Sequence, residues 1–361
     1  MHLDSKFILV IGGAGYIGSH TVKSLKRNGY HPIVLDNLSS GHAFFVTEKL
    51  KTTLIKGELG NRKLLRDIFY GNHPAVKGKE ISGIIHFAAH AYVEESIKKP
   101  LKYYKNNVID TLTLLEEIIA YKSLKKSSYK LPFVFSSSCA TYGIPNEIPI
   151  NENSPQTPIN PYGHTKLIIE KCLKDFAKAY NFQSLIFRYF NAAGADPLGE
   201  IGELHFPETH LIPLVLKTIS GEIDEFRLYG TNYPTSDGTC VRDFIHVSDL
   251  ADAHVLGLER LIKGLNINSK YPEIFNLGNG NGYSILDVIN TAEQVTGKKL
   301  KYKTDKKREG DPPILIASSE KAKRILNWKP KYSHLSKIIK DAWNWEKIKI
   351  KYNESLNEIR F

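Results

Sequence analysis

At ~150 residues per domain, a chain of 361 residues forms two domains or one large one, and 42% apolar with 24% charged residues excludes fibrous, collagen-like and disordered classes. Lys and Arg outnumber Asp and Glu by 49 to 38, a formal charge of +11. Much of that excess lies in separate stretches at 122–130, 298–308 and 347–351. No aromatic-interleaved basic helix accompanies them, so a solvated surface is expected and nucleic-acid binding is not.

The first apolar run, Phe7–Ile11, is preceded by Asp4 and Lys6 and is too short for a membrane span or a secretion signal, so the expected location is the cytoplasm, away from membranes. Cys139, Cys172 and Cys240 form no pair at metal-ligand spacing. Buried structural thiols are therefore expected, with no disulfide framework and no metal site.

Short β-branched apolar runs alternate with segments of helical period over the first 190 residues, the pattern of a parallel sheet covered by helices. Strands are expected at 7–11, 32–35, 53–55, 83–87, 132–136 and 184–188, and helices near 16–28, 63–70, 101–120 and 161–179. Residues 71–82 read as a surface loop. Six such strands make an α/β fold with a doubly wound parallel sheet, Rossmann-like, over residues 1–190. Beyond Asn191 the pattern loosens into Gly- and Pro-rich loops, so 191–361 is expected to be a smaller mixed substrate-binding lobe. Two segments, 241–260 with a strand at 243–247, and 274–278, are expected to return to the main sheet.

Directly after the first strand stands Gly12-Gly13-Ala14-Gly15-Tyr16-Ile17-Gly18, and Asp36 closes the second strand. Glycines allow a tight turn and a close approach of backbone N–H groups to a pyrophosphate, and a carboxylate there accepts bonds from both ribose hydroxyls. Asp36 would repel a 2′-phosphate, and residues 37–40 offer no cation to offset it, so NAD is expected rather than NADP.

Tyr162 and Lys166 stand four apart at the start of a helix after Pro161, so both side chains lie on one face. A phenol titrates near ~10 and becomes a base at neutral pH only beside positive charge, which Lys166 and an oxidised nicotinamide can supply. Ser138, after the fifth strand, can hydrogen-bond the same substrate oxygen. Together these residues describe a hydride-transfer site.

In this order they resemble the extended short-chain dehydrogenase/reductase superfamily and, within it, the UDP-glucose 4-epimerase branch. The resemblance is carried by the stretches 12–20, 36–38, 86–89, 95–108, 136–143, 161–166, 188–194, 208–213, 229–246, 276–278 and 308–311, which span nearly the whole chain. It implies that Ser138, Tyr162 and Lys166 are catalytic. It implies an NAD pocket of Gly12, Gly15, Tyr16, Ile17, Gly18, Asp36, Asn37, Ser40, Glu58, Leu59, Phe87, Ala88, Ala89, Asn106 and Tyr189, shared by Tyr162 and Lys166. Asn191, His210, Leu211, Tyr229, Arg242, Arg308, Asp311 and Leu315, with Ser138, would hold a UDP-sugar. The arginines suit a diphosphate. Glu58 stands where the family usually has Asp, and Cys139-Ala140-Thr141 varies the residues after the serine.

The resemblance implies NAD-dependent 4-epimerisation of UDP-hexoses, UDP-galactose to UDP-glucose and back, through a transient 4-keto sugar, by a homodimer joined through the helices near 101–120 and 161–179. Leu315, where some members carry tyrosine, implies a second activity on UDP-N-acetylglucosamine and UDP-N-acetylgalactosamine. Four alternatives stay open. A UDP-pentose (UDP-xylose/UDP-arabinose) 4-epimerase shares every motif, a plain dehydrogenase would release NADH, and a non-catalytic NAD-sensing protein has no need of the Ser/Tyr/Lys set. A 4,6-dehydratase needs acidic groups where Cys139 and Ala140 stand.

Overall fold

The computed structural model describes residues 6–125, 129–264, 271–308 and 311–358, with side chains to residue 349. Asp4, the centre of the 122–130 basic stretch and residues 309 and 310 of the 308–311 motif lie outside the described residues.

In chain order the first half runs β1 (Phe7–Ile11), α1 (Tyr16–Arg27), β2 (His31–Asp36), β3 (Thr53–Lys56), α2 (Arg62–Phe69), β4 (Ile81–His86), α3 (Val93–Lys98), α4 (Pro100–Tyr103), α5 (Asp110–Ser123), β5 (Phe133–Ser136), α6 (Pro161–Tyr180) and β6 (Ser184–Tyr189). The second runs β7 (Asn191–Ala193), α7 (Leu211–Ser220), β8 (Phe226–Tyr229), β9 (Val241–Arg242), β10 (Phe244–His246), α8 (Val247–Lys263), β11 (Glu273–Leu277), β12 (Tyr283–Ser284), α9 (Ile285–Thr296), β13 (Tyr302–Asp305), β14 (Ile314–Leu315), α10 (Glu320–Leu326) and α11 (Leu335–Glu358).

The main sheet has seven parallel strands in the order β11-β6-β5-β4-β1-β2-β3. Successive side chains of a strand face opposite sides, and both sides here are covered. Ile8, Val10, Val34, Val134 and Leu185 pack with Val22 and Leu25 of α1 and Leu250 and Leu258 of α8. Leu9, Ile11, Ile33, Phe133 and Ile186 pack with Leu65 of α2, Leu114 and Ile118 of α5 and Leu173 of α6. Strand order reverses between β1 and β4, which opens a crevice at their carboxyl ends, where doubly wound sheets take their ligands.

The sheet has one strand more than the six expected in the first 190 residues. Of the two returning segments, β11 does join it, beside β6. The strand read at 243–247 does not: β11 already occupies that edge, and β10 pairs instead with β7 in a separate ribbon. The helix after it, α8, does pack on the sheet through Leu250 and Leu258. Residues 71–82 are more than a loop, because buried Val76 sits in a short 3-10 turn and β4 begins at buried Ile81. The helix expected over 101–120 is α4 and α5 joined by a π-helical stretch, Tyr104–Ile109. Single π turns inside helices often mark functional positions, and this one carries Asn106 and Asn107.

A further apolar core forms from α7, β8, α9 and the start of α11, with Val215, Leu228, Val288 and Ile338 buried in it. Farther along α11, Trp345 packs with the sheet cluster, so one helix fastens both cores. Among the described residues no helix is long and apolar enough to cross a membrane.

Candidate active site

The turn after β1 uses its glycines for two different reasons. Gly12 has φ +77° and lies under the chain after β4, where a Cβ would fall 2.5 Å from the Ala88 nitrogen; a Cβ on Gly18 would fall 2.1 Å from the Gly12 carbonyl oxygen. These positions are glycine because the protein's own backbone fills the space. Gly15 is different. Its φ is −77°, and a Cβ would meet only Gly12 O at an ordinary 3.5 Å. Gly15 is also the N-cap of α1, with no side-chain cap and no acidic residue in the first turn, so the helix presents bare N–H groups and a positive dipole end to an anion.

Tyr16 donates its phenol to Gly194 O at 2.6 Å, and Ile17 packs on the sheet cluster. Asp36 is buried, with Oδ2 accepting from Ala14 N at 2.9 Å and Oδ1 from Leu38 N at 2.8 Å. Burial raises its pKa and those backbone bonds oppose the rise. Asn37 donates to Glu58 Oε2 at 3.0 Å, which draws the departing Glu58 onto the same rim; Leu59 beside it is buried and Ser40 is exposed. Across the crevice, Phe87 N and Ala88 N donate to Ile11 O at 2.8 and 3.1 Å, and half-buried Ala89 follows them. Asn106 donates to Asn107 Oδ1 at 2.8 Å. Asn107, which the sequence did not single out, clamps both backbone groups of His90 and also bonds Thr165 of α6 at 3.1 Å. Of the residues expected to hold NAD, Gly12, Phe87 and Ala88 thus meet at the β1/β4 crevice.

Helix α6 opens on Asn160, whose side chain accepts from Gly163 N at 2.9 Å, followed by Pro161 at the first helical position. Tyr162, Lys166 and Glu170 then recur every four residues, all buried, along the face toward the end of β5. Burial pushes the Tyr162 phenol well above the usual range, and a hydrogen bond with Ser138 pulls the other way. Ser138 Oγ also accepts from Ala140 N at 3.1 Å, which fixes the serine at the head of a short turn. Lys166 Nζ lies 5.9 Å from the Tyr162 ring and donates to Ser136 O at 2.7 Å. Desolvation lowers its pKa to about 7, with Glu170 opposing. Ser136 O and a carboxylate one turn away do not replace the hydration that the ammonium loses on burial. Tyr189 lies alongside, its hydroxyl accepting from Ser136 Oγ at 3.0 Å.

Glu170 and its partners were also missed. Its carboxylate takes Ser137 Oγ at 2.5 Å, Arg188 Nη2 at 2.6 Å and Gln156 Nε2 at 3.0 Å, while Arg188 also donates to Tyr142 Oη at 2.9 Å. The signal was present as a second i+4 step beyond Lys166. Sequence alone does not say that the partners come from three other segments.

On the opposite wall Arg242 pairs with Asp311 at 2.5 Å, Tyr233 reaches the same carboxylate at 3.3 Å, and the Arg308 guanidinium stacks 4.3 Å above the Tyr229 ring. Asn191 donates both its backbone N–H and its amide to Asp243 O. Leu315 lies opposite Arg242 in the β14/β9 pair and packs with Tyr142, Phe190 and Cys139. Leu211 begins α7. His210, just before it, has its Nδ1 2.6 Å from Glu203 and 3.4 Å from Glu208, a carboxylate pair that raises its pKa to about 10.

Gly15→Ala is expected to lose the bound dinucleotide while melting like nucleotide-stripped wild type, whereas Gly18→Ala loses both the dinucleotide and that stability; calorimetry and the nucleotide absorbance of the purified protein separate the two. Lys166 gives up its proton at about pH 7 when folded and near ~10.4 when unfolded. Across that window the unfolded chain holds more protons, so stability from this group rises with pH. Lys166→Met should therefore gain on the wild type at the acid end and lose that advantage at the alkaline end, read from urea midpoints of ligand-free protein.

The family model described as NAD dependent epimerase/dehydratase family matches residues 8–278. A UDP-glucose 4-epimerase of Halalkalibacterium halodurans is 48% identical over 340 residues, 94% of this chain and 95% of that one. Among solved structures, UDP-glucose 4-epimerase from Brucella ovis in complex with NAD superposes with a TM-score of 0.85 at 42% identity, covering 94% of this chain and 98% of that chain. The UDP-Glc/GlcNAc 4-epimerase of Campylobacter jejuni gives 0.78 at 36% identity, covering 95% and 100%. The fold thus has full-length counterparts, and the chain belongs to the NAD dependent epimerase/dehydratase family.

Proposed function

We propose that this chain is an NAD-dependent 4-epimerase of UDP-hexoses, interconverting UDP-galactose and UDP-glucose. The relatives named for that reaction span nearly all of their own length and of this chain. The observation that carries the reading is the burial of Tyr162 and Lys166 on one face of α6 against the end of β5, with Ser138 buried at the head of the turn that follows that strand. The bare N-terminus of α1, the unobstructed space at Gly15 and the tethered Asp36 carboxylate fit NAD.

Bound NAD supplies the acceptor, and afterwards the donor, of the hydrogen at sugar C4. Tyr162 takes the proton from the C4 hydroxyl as the 4-keto sugar forms and returns it after the ring has turned over. Ser138 steadies the same oxygen. Lys166 has two tasks: it holds the nicotinamide ribose and, with the oxidised nicotinamide, places positive charge beside the phenol, against the burial that keeps Tyr162 protonated. Arg242 and Arg308 grip the diphosphate, with Asn191, Leu211, Tyr229 and Asp311 completing the nucleotide contacts, so the hexose can be held loosely enough to present either face.

The sugar range is proposed to reach UDP-N-acetylglucosamine, because half-buried Leu315 offers an aliphatic side chain rather than an aromatic ring. A UDP-pentose range draws on the same residues and is separated only by kinetics. The working state is proposed to be a cytoplasmic homodimer: exposed Ile97, Leu101 and Ile109 lie along α3, α4 and the π stretch, an apolar face suited to a second copy.

Tyr162→Phe should lower kcat by ~10²–10⁴ with the affinity for UDP-glucose preserved; unchanged turnover removes the phenol from the reaction. Incubation with UDP-galactose and UDP-N-acetylgalactosamine, followed by separation of the epimers, should show both converted with no net accumulation of NADH. Conversion of the first alone withdraws the wider range, and conversion of neither sinks the proposal.

A further inference from the structure

A group of side chains outside the reaction carries chemistry of its own. The loop between β7 and α7 places Glu203, His205, Glu208 and His210 so that one ligand atom from each lies within 4.8 Å of all the others. Both histidines turn Nδ1 toward the same two carboxylates. His205 Nδ1 is 3.2 Å from Glu203 Oε1 and 3.9 Å from Glu208 Oε2; His210 Nδ1 is 2.6 and 3.4 Å from Glu203 and Glu208. Donors bound to one tetrahedral ion at ~2.0–2.2 Å sit roughly 3.3–3.6 Å from each other, in the middle of that spread.

The hydrogen bonding also leaves room for an ion. His205 Nδ1 is buried and makes no hydrogen bond despite its proximity to Glu203, so a nitrogen lone pair or N–H stands idle inside a carboxylate cage. Idle buried polar atoms are uncommon in folded proteins. Glu203 and Glu208 side chains are 6% and 5% exposed, whereas His210 is 45% exposed, which gives the cage one open side.

We propose that Glu203, His205, Glu208 and His210 bind one zinc-class divalent cation in a four-coordinate structural site. Two imidazoles with two carboxylates suit zinc, while calcium and magnesium prefer all-oxygen cages. The two carboxylates neutralise the ion, and four protein ligands leave no position for chemistry, so the ion fastens and does not react.

What it fastens is set by the neighbours. Trp345 of α11 donates to Glu203 O at 2.9 Å, His42 Nε2 lies 2.9 Å from Leu204 O, and the His205 ring meets Tyr16 and Tyr92 edge-on at 6.4 and 6.0 Å. An ion here braces the loop entering α7, which packs against the head of α1 and the chain after β4. The proposal does not rest on the sugar reaction.

The test uses full-length protein freed of metal by a chelator and titrated with zinc sulfate by calorimetry, with cobalt as a spectroscopic stand-in. Wild type should take up one zinc per chain, show the intense visible ligand-field bands of tetrahedral cobalt, and melt at a Tm that rises with zinc concentration. Glu208→Gln and His205→Asn should each weaken binding at least ~tenfold, and the double variant should abolish it. If folded wild type takes up no zinc, the cluster is a hydrogen-bonded charge network and the proposal fails. Binding that survives unchanged in the double variant puts the ion elsewhere and overturns it equally. Should the variants misfold, the wild-type stoichiometry and the cobalt spectrum still decide, since a weak octahedral spectrum contradicts a four-coordinate site.

Discussion

Everything at the site depends on keeping one polar face of α6 out of water. Tyr162, Lys166 and Glu170 occupy successive turns of that face and all are buried. Such burial is tolerated only where partners replace the lost hydration. Glu170 is well supplied, with the Arg188 guanidinium, the Ser137 hydroxyl and the Gln156 amide around it. Lys166 has one backbone carbonyl, and its pKa falls accordingly. The imbalance is what a reactive site needs: the carboxylate end is locked as a structural anchor, while the amine and phenol stay sensitive to whatever charge arrives beside them.

The sheet explains why this face stands where it does. Strand order reverses between β1 and β4, so the turn after β1 and the chain after β4 part and leave a crevice. Gly12 lets these backbones touch, Gly18 lets α1 close on the turn itself, and Asn107 in the π stretch ties the β4 side to Thr165, three residues beyond Tyr162. Cofactor cradle and reacting helix are therefore joined through a few buried polar contacts, so a change at either is transmitted to the other.

Most of the fold was legible because parallel strands and amphipathic helices leave strong local periods. β1 to β6 and α1, α2 and α6 follow from alternating apolar runs, and the glycine turn, Asp36, Tyr162 and Lys166 from spacing. What escaped detection depended on distant partners. The return of 274–278 to the main sheet was legible, but nothing local says that Phe244–His246 pairs with Asn191–Ala193 rather than with the main sheet, because that edge is chosen by competition among segments. Arg188 lies at the end of a legible strand, but its partner Glu170 is one of two acids on α6. The Glu203–His210 group carries no cysteine-spacing signal, since its donors are imidazoles and carboxylates in one loop.

The account stands on the Tyr162 phenol being the group that handles the sugar's C4 hydroxyl proton. The most direct measurement is a crystal structure of the protein with NAD and UDP-glucose bound. It should place the Tyr162 oxygen ~2.6–3.2 Å from the sugar O4, with Ser138 sharing that oxygen and Lys166 on the nicotinamide ribose. A bound sugar whose O4 meets another side chain, with the phenol directed away, would contradict the account at its root.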